Sequence, residues 1–369
     1  MSLPVAPIFA AGLAASLAVC SAPALAQQGT AATPNSASAP ADTSPDGVRA
    51  AAEKGDASAM YRFGQMLASG RGVARNEKEA VVWYLRAADK GNGRAMAALG
   101  VMYSKGRGVV ASDVDAIRWY TLAAKLGEPS AMVALGARSA NGAGMPRDLG
   151  VAADWYRRAS EAGSSQGMRL YARALETGVG VPVDDGAAVL WLTRAAEAGD
   201  AEAACNLGVR HLSGRGVPKD ATTAVRWLRV AAEAGEATAM FNLGVMLADG
   251  NGVAEDDSLG FKWMKAAADR GDAPAMLRLA MMYRDGEGIG RDSVEAYYWS
   301  SLATESVGID LREKAAAVRF EVGEAVSAQA RAETDGRIAA WRAARKPAAI
   351  APDSAGDVDS DGATKPDKL

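Results

Sequence analysis

Tryptophan recurs in this sequence at a fixed interval of 36 residues. Seven tryptophans keep the interval, at Trp83, Trp119, Trp155, Trp191, Trp227, Trp263 and Trp299. Glycine keeps the same interval, which accounts for much of the high count of 40 glycines in 369 residues. A fixed period of this length is the sequence signature of a solenoid, in which similar units stack on one another. The sequence therefore predicts seven units of 36 residues over residues 55–306.

Each unit carries the pattern of two helices. In the second unit, apolar residues recur at three- and four-residue steps over residues 95–103 and again over residues 116–124, as on helix faces. Gly106 and Gly108 lie between the two stripes, where glycine can adopt the left-handed backbone that follows a helix C-terminus. Gly100 removes a side chain where the two helices cross closely. We therefore predict antiparallel helix pairs that are stabilised by stacking on their neighbours.

The repeated residues resemble the Sel1-like repeat family, which is related to the tetratricopeptide repeats. In the second unit the family pattern is matched by Ala95, Leu99, Gly100, Tyr103, Gly106, Gly108, Val109, Ala116, Trp119, Tyr120, Ala123, Ala124 and Gly127. The resemblance implies an all-α fold, a right-handed α/α superhelical solenoid of helix-turn-helix repeats. It also implies an adaptor that binds a protein or peptide partner and is not an enzyme.

The regions outside the seven units differ in composition. Residues 45–54 resemble the end of a preceding second helix, so we expect a repeat array with an N-terminal partial repeat over residues 45–306. Residues 307–345 lack the glycine loops and resemble the capping helices of such arrays. Residues 27–44 are small, polar and rich in proline, which predicts a flexible linker. We expect residues 346–369 to be a disordered tail.

The N-terminus has the features of a targeting signal. Residues 1–26 contain no charged side chain, and an apolar stretch is followed by small residues that end in Ala24-Leu25-Ala26. This pattern is typical of a secretory signal peptide that is cleaved after Ala26. Cys20 leaves a lipoprotein signal open, although a valine precedes it. We expect a periplasmic or secreted monomer without stable membrane insertion, since no later apolar run is long enough to span a bilayer.

Composition excludes several classes of function. The chain has 41 Lys and Arg residues against 44 Asp and Glu residues, so it lacks the basic excess of a nucleic-acid-binding protein. Only one histidine is present, which excludes sites built from paired histidines. The sequence contains no phosphate-binding loop. We therefore predict no nucleic-acid partner, no metal site and no cofactor.

Three short motifs resemble functional sites, but their context favours structural roles. Residues 163–167 match the G-x-S-x-G motif of serine hydrolases, yet Gly163 is a repeat glycine and no strand precedes it. His211 occupies the repeat position of a core tyrosine. Residues 357–362 resemble the start of a calcium loop, but Lys368 stands where that loop needs a glutamate. We therefore predict no catalytic residue.

A partner would bind on the first helices, because these line the concave face of such arrays. The residue seven positions after each repeat glycine varies, and amides and guanidinium groups there could hold a peptide backbone or carboxylate. The predicted groove residues are Tyr61, Arg62, Arg169, Arg173, Asn206, Phe241, Asn242 and Arg278. An alternative role for Asn206 and Asn242 is to brace neighbouring helices. Two alternative functions stay open, a cell-wall-directed hydrolase resembling β-lactamases and a structural spacer of the envelope.

Overall fold

The structure is a computed structural model that describes residues 43–305 and 308–345. All regular secondary structure in these residues is helical, and they form seventeen helices. The expected signal peptide at residues 1–26, the tail at residues 346–369 and nearly all of the linker at residues 27–44 lie outside the described residues. Within the described ranges, no helix is both long and apolar enough to cross a membrane.

The helices alternate between two kinds in each repeat. The first helices are α2 (Ala57–Ser69), α4 (Gly93–Lys105), α6 (Pro129–Asn141), α8 (Ser165–Thr177), α10 (Ala201–Ser213), α12 (Ala237–Ala248) and α14 (Ala273–Asp285). The second helices are α3 (Glu77–Asp89), α5 (Asp113–Lys125), α7 (Leu149–Glu161), α9 (Asp185–Glu197), α11 (Ala221–Glu233), α13 (Asp257–Asp269) and α15 (Ser293–Ala303). The chain also has α1 (Pro45–Glu53) before the array, and α16 (Ile309–Gly323) and α17 (Ala328–Arg345) after it.

The chain divides into two compact units, Met1–Ala275 and Met276–Leu369, and the boundary lies within α14. In the first unit each helix from α1 to α12 packs against the next one in the chain. In the second unit α15 packs against both α16 and α17. This order of packing confirms the predicted all-α solenoid of helix-turn-helix repeats.

The second helix of each repeat starts at a polar side chain. The residue before the helix accepts a hydrogen bond from a backbone amide of the first turn, which satisfies a donor that the helix itself leaves unpaired. These N-cap residues recur every 36 positions, at Asn76, Ser112, Asp148, Asp184, Asp220, Asp256 and Asp292. The start of each second helix is therefore encoded by one short side chain.

Glycine allows the two helices of a repeat to cross in contact. A Cβ atom placed on Gly100 would lie 2.5 Å from Cε1 of Tyr120 on the second helix. The corresponding distance from Gly136 to Cε1 of Tyr156 is also 2.5 Å. Real Cβ atoms do not approach other atoms this closely, so the tyrosine ring occupies the place of the missing side chain. This confirms the prediction that Gly100 marks a close helix crossing.

The glycine loops of the second to sixth repeats also touch the preceding repeat. Gly108 has φ +69°, and a Cβ atom there would lie 2.5 Å from the carbonyl carbon of Glu77, at the start of the preceding second helix, and nearer still to its oxygen. Gly180 and Gly216 approach Leu149 and Asp185 in the same way. We call this contact the loop joint. By contrast, no atom lies within 4 Å of a Cβ built on Gly127. Glycine is favoured at this position only because the backbone is left-handed, with φ +80°.

Ion pairs reinforce several loop joints. The Arg107 guanidinium lies 2.6 Å from the Glu77 carboxylate of the preceding repeat. Arg210 pairs with Glu176 at 2.5 Å and with Asp185 at 2.8 Å, and its side chain is only 8% exposed. Since both carboxylates come from the preceding repeat, Arg210 ties α10 to the glycine-loop side of its neighbour.

Candidate functional site

Four first helices of the first unit carry a half-buried apolar side chain at the same repeat position, whereas α2 has the exposed Gln65 there. The apolar residues are Val101, Ala137, Val209 and Val245, which occupy this position on α4, α6, α10 and α12. On α8 the position holds Arg173, whose side chain is exposed. We call these five residues the first-helix face. They are 36 or 72 residues apart, so the apolar line follows the direction of stacking.

The first helices α4, α6 and α8 are closer to one another than successive second helices are. Helix α6 approaches both α4 and α8, and no pair of successive second helices in the described chain approaches to the same extent. The stretch from α4 to α8 therefore bends toward the first helices. This places the part of the first-helix face on α4, α6 and α8 on the inner side of the bend, which is the usual binding surface of a solenoid.

Carboxylates lie along one edge of the first-helix face. Asp200, Glu236 and Asp272 each stand immediately before a first helix, and Glu202 lies in the first turn of α10. We call these four residues the acidic edge. Arg169 on α8 is their cationic neighbour, at 2.7 Å from Glu202 and 3.4 Å from Asp200.

Two residues of the acidic edge have no cation as an ion-pair partner among the described residues. Asp272 accepts hydrogen bonds from the Ala275 amide at 2.9 Å and from the Thr238 hydroxyl at 3.4 Å. Glu236 stands at an N-cap position, but its side chain makes no capping hydrogen bond. Arg169 acts on Glu236 through its charge, but it already pairs with Asp200 and Glu202, so the described residues supply no further cation to Glu236 or Asp272 in an ion pair.

Burial raises the pKa of three carboxyl groups on the acidic edge. It is the largest cause for Glu202, Glu236 and Asp272, because a half-buried carboxylate loses solvation when it is charged. The charges of Asp272 and Asp200 raise the pKa of Glu236 further. These interactions show that the carboxylates of successive repeats influence one another and that a cation placed between them would be attracted.

Four of the predicted groove residues lie at the surface or beside the acidic edge. Arg62 and Arg173 are exposed. Tyr61 is half-buried, its ring centroid is 5.9 Å from that of Tyr84, and its hydroxyl accepts a hydrogen bond from Gln65. Arg169 is held by the carboxylates already described. Arg169 and Arg173 therefore lie together on α8, whereas Tyr61 and Arg62 lie on α2, three repeats earlier in the chain.

The prediction that Asn242 and Phe241 line an open groove is wrong. Asn242 is 0% exposed and Phe241 is 6% exposed. Both polar atoms of the Asn242 side chain are buried without a hydrogen-bond partner among the described residues. Neither side chain can therefore contact a partner without a rearrangement.

The repeat position of Asn242 explains its burial. Ala98 at this position packs against the hydrophobic cluster that includes Met60 and Phe63 of the preceding repeat. Leu170 packs in the same way against the cluster that contains Val133. The position therefore faces the preceding first helix rather than the inner surface.

The two remaining groove residues are less accessible than the sequence suggested. Asn206 is half-buried at the same inter-repeat position as Asn242. Arg278 belongs to the second unit, where its guanidinium pairs with Glu287 at 3.2 Å. The expected series of three polar residues on successive repeats is therefore not a continuous exposed row in the first unit.

Sequence reasoning missed the acidic edge, although a signal was present. Glu128, Asp200, Glu236 and Asp272 all occupy the position just before a first helix, 36 or 72 residues apart. In the sequence, a polar residue at this position indicates only the start of a helix. The period placed these residues at one edge, but the sequence did not show that the side chains become half-buried there.

The short motifs have structural surroundings. The Ser164 hydroxyl accepts a hydrogen bond from the Gly167 amide at 3.0 Å, so it caps α8. His211 is half-buried, as its repeat position predicted, but its Nδ1 atom has no hydrogen-bond partner among the described residues. Within residues 43–305 and 308–345, no group of three or more His, Cys, Asp or Glu side chains could hold a metal ion.

Comparisons with known proteins agree with the repeat architecture. A protective antigen present in uropathogenic Escherichia coli strains, which displays an SLR fold, is 30% identical with a TM-score of 0.64. That match covers 80% of this chain and 62% of the antigen, so the chain spans less than two thirds of its length. A Sel1 repeat protein from Oxalobacter formigenes is 27% identical with a TM-score of 0.60, over 68% of this chain and 98% of that protein. No curated protein matches the sequence.

The family itself matches seven times in succession. Sel1 repeats are found at residues 57–92, 93–128, 129–164, 165–200, 201–236, 237–272 and 273–306. Each begins at the first residue of a first helix. This fold is typical of protein–protein interaction scaffolds. The resemblance seen in the repeated residues is confirmed, and the chain belongs to the Sel1 repeat family.

Proposed function

We propose that this chain is a non-catalytic adaptor of the bacterial cell envelope, and that its first-helix face binds an extended segment of a partner protein. One observation carries the proposal. A line of half-buried apolar side chains runs along first helices of the first unit, beside an acidic edge in which Glu236 and Asp272 form no ion pair with a described residue. Such a surface offers both apolar contact and charge selection.

The spacing of the first helices suits an extended segment. Packed helices lie about 8–10 Å apart, whereas an extended chain advances about 3.3 Å per residue. A segment would therefore advance about three residues from one first helix to the next. About nine residues would cross from α6 to α12, and their side chains would meet Ala137, Arg173, Val209 and Val245 in turn.

The acidic edge favours a segment with basic side chains. Glu236 and Asp272 have raised pKa values because their charged forms are poorly solvated, and a lysine or arginine of the partner would relieve this. Apolar side chains of the same segment would cover Val209 and Val245. We therefore expect a segment in which basic and apolar residues are interspersed.

Site-specific photo-crosslinking tests the placement. A benzoylphenylalanine at Val209 should crosslink to a partner in envelope extract, and the same group at Leu190 should not. Leu190 is the matched control because it is 67% exposed but lies on a second helix, α9. The partner captured at Val209 should be displaced by a synthetic segment of lysine and valine residues. Equal crosslinking at both positions would contradict the proposal.

The envelope location rests on the N-terminal sequence. If residues 1–26 are a signal peptide, the mature protein begins at Gln27 and fractionates with the periplasm or the medium. N-terminal sequencing of the protein from each fraction tests this. A product that retains Met1 in the cytoplasm would refute it, and light scattering on the mature protein would check the expected monomer.

A further inference from the structure

The second unit contains a cleft. It lies among helices α15, α16 and α17 and encloses about 230 Å³. Its lining residues are Tyr297, Arg319, Phe320, Gly323, Glu324 and Arg331. The proposed adaptor surface does not use this cleft, and none of the short motifs of the sequence lies in it.

Two guanidinium groups converge on one aromatic ring in the cleft. The Arg319 guanidinium carbon is 5.8 Å from the centroid of the Tyr297 ring, and that of Arg331 is 5.7 Å from the same centroid. The aromatic face attracts each cation, but the two cations repel each other. Arg331 also donates a hydrogen bond to the carbonyl of Gly323.

Neither guanidinium is neutralised by a carboxylate in the described part of the chain. Other arginines of the second unit are neutralised: Arg337 pairs with Glu295 at 2.7 Å, and Arg284 pairs with Glu321 at 2.9 Å. Glu324 lines the cleft but forms no ion pair with Arg319 or Arg331. An anion that entered the cleft would therefore meet two guanidinium groups that no described carboxylate neutralises.

The acidic residues beyond α17 have a spacing that suits the two arginines. Asp357, Asp359 and Asp361 alternate with Val358 and Ser360. In an extended chain, alternate side chains lie on one side at intervals of about 7 Å. Because both guanidinium carbons lie within 6 Å of one centroid, they are no more than about 12 Å apart. Two neighbouring aspartates of the series can therefore each reach one arginine.

The chain is long enough for this contact. Arg331 and Arg345 are both in α17, and fourteen residues of helix separate them by about 21 Å. Asp357 follows Arg345 by twelve residues, which can span about 40 Å when extended. The acidic series can therefore return along α17 to the cleft with slack to spare.

We propose that residues 357–361 bind the cleft of their own chain through carboxylate–guanidinium pairs with Arg319 and Arg331. The cleft is thus a site for acidic peptide segments, and the chain carries its own occupant. A charged pair of this kind is strengthened by bidentate hydrogen bonds from each arginine. A linked segment has an effective concentration in the millimolar range, so even weak pairing keeps the cleft occupied.

The test uses the full mature chain and a labelled peptide of residues 353–364. In the variant Asp357→Asn/Asp359→Asn/Asp361→Asn the cleft is open, so fluorescence anisotropy should show peptide binding roughly tenfold tighter than for the unaltered chain. Adding Arg319→Gln/Arg331→Gln to this variant should abolish the gain. Arg312→Gln is the matched control, because Arg312 is an exposed arginine of α16 outside the cleft lining. Circular dichroism of each variant verifies that the helices remain.

Photo-crosslinking separates this proposal from its competitors. A benzoylphenylalanine at Val358 in the full chain should crosslink to residues 319–331 of the same chain, at a yield independent of protein concentration. Crosslinks only between two copies would overturn the proposal, and so would equal peptide binding by the open variant and the unaltered chain. Because these readouts involve only the second unit, they can fail or succeed independently of binding at the first-helix face.

Discussion

Replacing Gly108 with alanine tests whether the loop joint holds neighbouring repeats together. The matched control is Gly127→Ala, since both glycines have a positive φ, +69° and +80°, but only Gly108 touches another repeat. An alanine in the left-handed region costs about 1–2 kcal/mol, and this cost applies to both variants. The difference between them therefore measures the inter-repeat contact alone.

The structure sets the size of that difference. At Gly108 a Cβ atom would lie 2.5 Å from the carbonyl carbon of Glu77 and 2.9 Å from the amide nitrogen of Lys78. Both are backbone atoms of α3, so the clash cannot be relieved by turning a side chain. Overpacking of this kind typically costs about 1–3 kcal/mol. We expect Gly127→Ala to lose about 1–2 kcal/mol of unfolding free energy and Gly108→Ala to lose about 2–5 kcal/mol.

Urea unfolding followed by tryptophan fluorescence measures both variants against the unaltered chain. Repeat arrays can unfold in stages, so hydrogen exchange should be measured beside urea unfolding. In Gly108→Ala we expect a local loss of amide protection around α3 and α4. Equal destabilisation by the two variants would refute the loop joint as an energetic contact. Loss of protection spread evenly over the array would show that the joint does not act locally.

Two further predictions follow from the charges. The pKa of Glu236 is raised, so its charged form costs folding free energy at a pH above that pKa. At a pH below the pKa of the unfolded chain this cost is absent. In a thermal scan, Glu236→Gln should therefore raise Tm at about pH 7 and leave it unchanged at about pH 3. Arg210→Met should lose about 1–3 kcal/mol in urea unfolding, because Glu176 loses its cation and Asp185 keeps only the more exposed Arg215. Arg157→Met should lose no more than about 1 kcal/mol, because its pairs with Asp154 and Glu161 are solvent-exposed. Equal losses from the two arginine variants would show that burial does not strengthen the Arg210 pairs.

The period made most of the fold predictable. Trp119 and its equivalents gave the length of the unit, and the glycines between the stripes gave the boundaries of each helix. Gly100 was assigned to a helix crossing because a close approach needs a missing side chain, and Tyr120 occupies that space. These inferences depend on contacts within one repeat, which a short stretch of sequence specifies.

The binding surface was harder to predict because it depends on contacts between repeats. Asn242 and Val245 are both on α12, and only three-dimensional packing decides which of them is covered by the preceding first helix. The repeat position of Asn242 was predicted to bind a partner because the residue there varies and includes polar side chains. In the structure, the residue type at this position depends on the space that the neighbouring helix leaves. Glu236 was not predicted as a binding residue, because its place before α12 indicates only a helix start. Its burial beside Asp272 depends on packing between repeats.

The loop joint has a consequence for how arrays of this kind change in length. At Gly108 and at Gly180 the surface that receives the loop is main chain, and Glu77 in one repeat is replaced by Leu149 in the other without loss of the contact. A loop can therefore meet any second helix, whichever residue begins it. Recombination between equivalent positions, which deletes or duplicates exactly one period, would create no new type of junction. Gain and loss of whole repeats is thus open to such a protein, while an inserted residue between Gly106 and Gly108 would disrupt a junction at once.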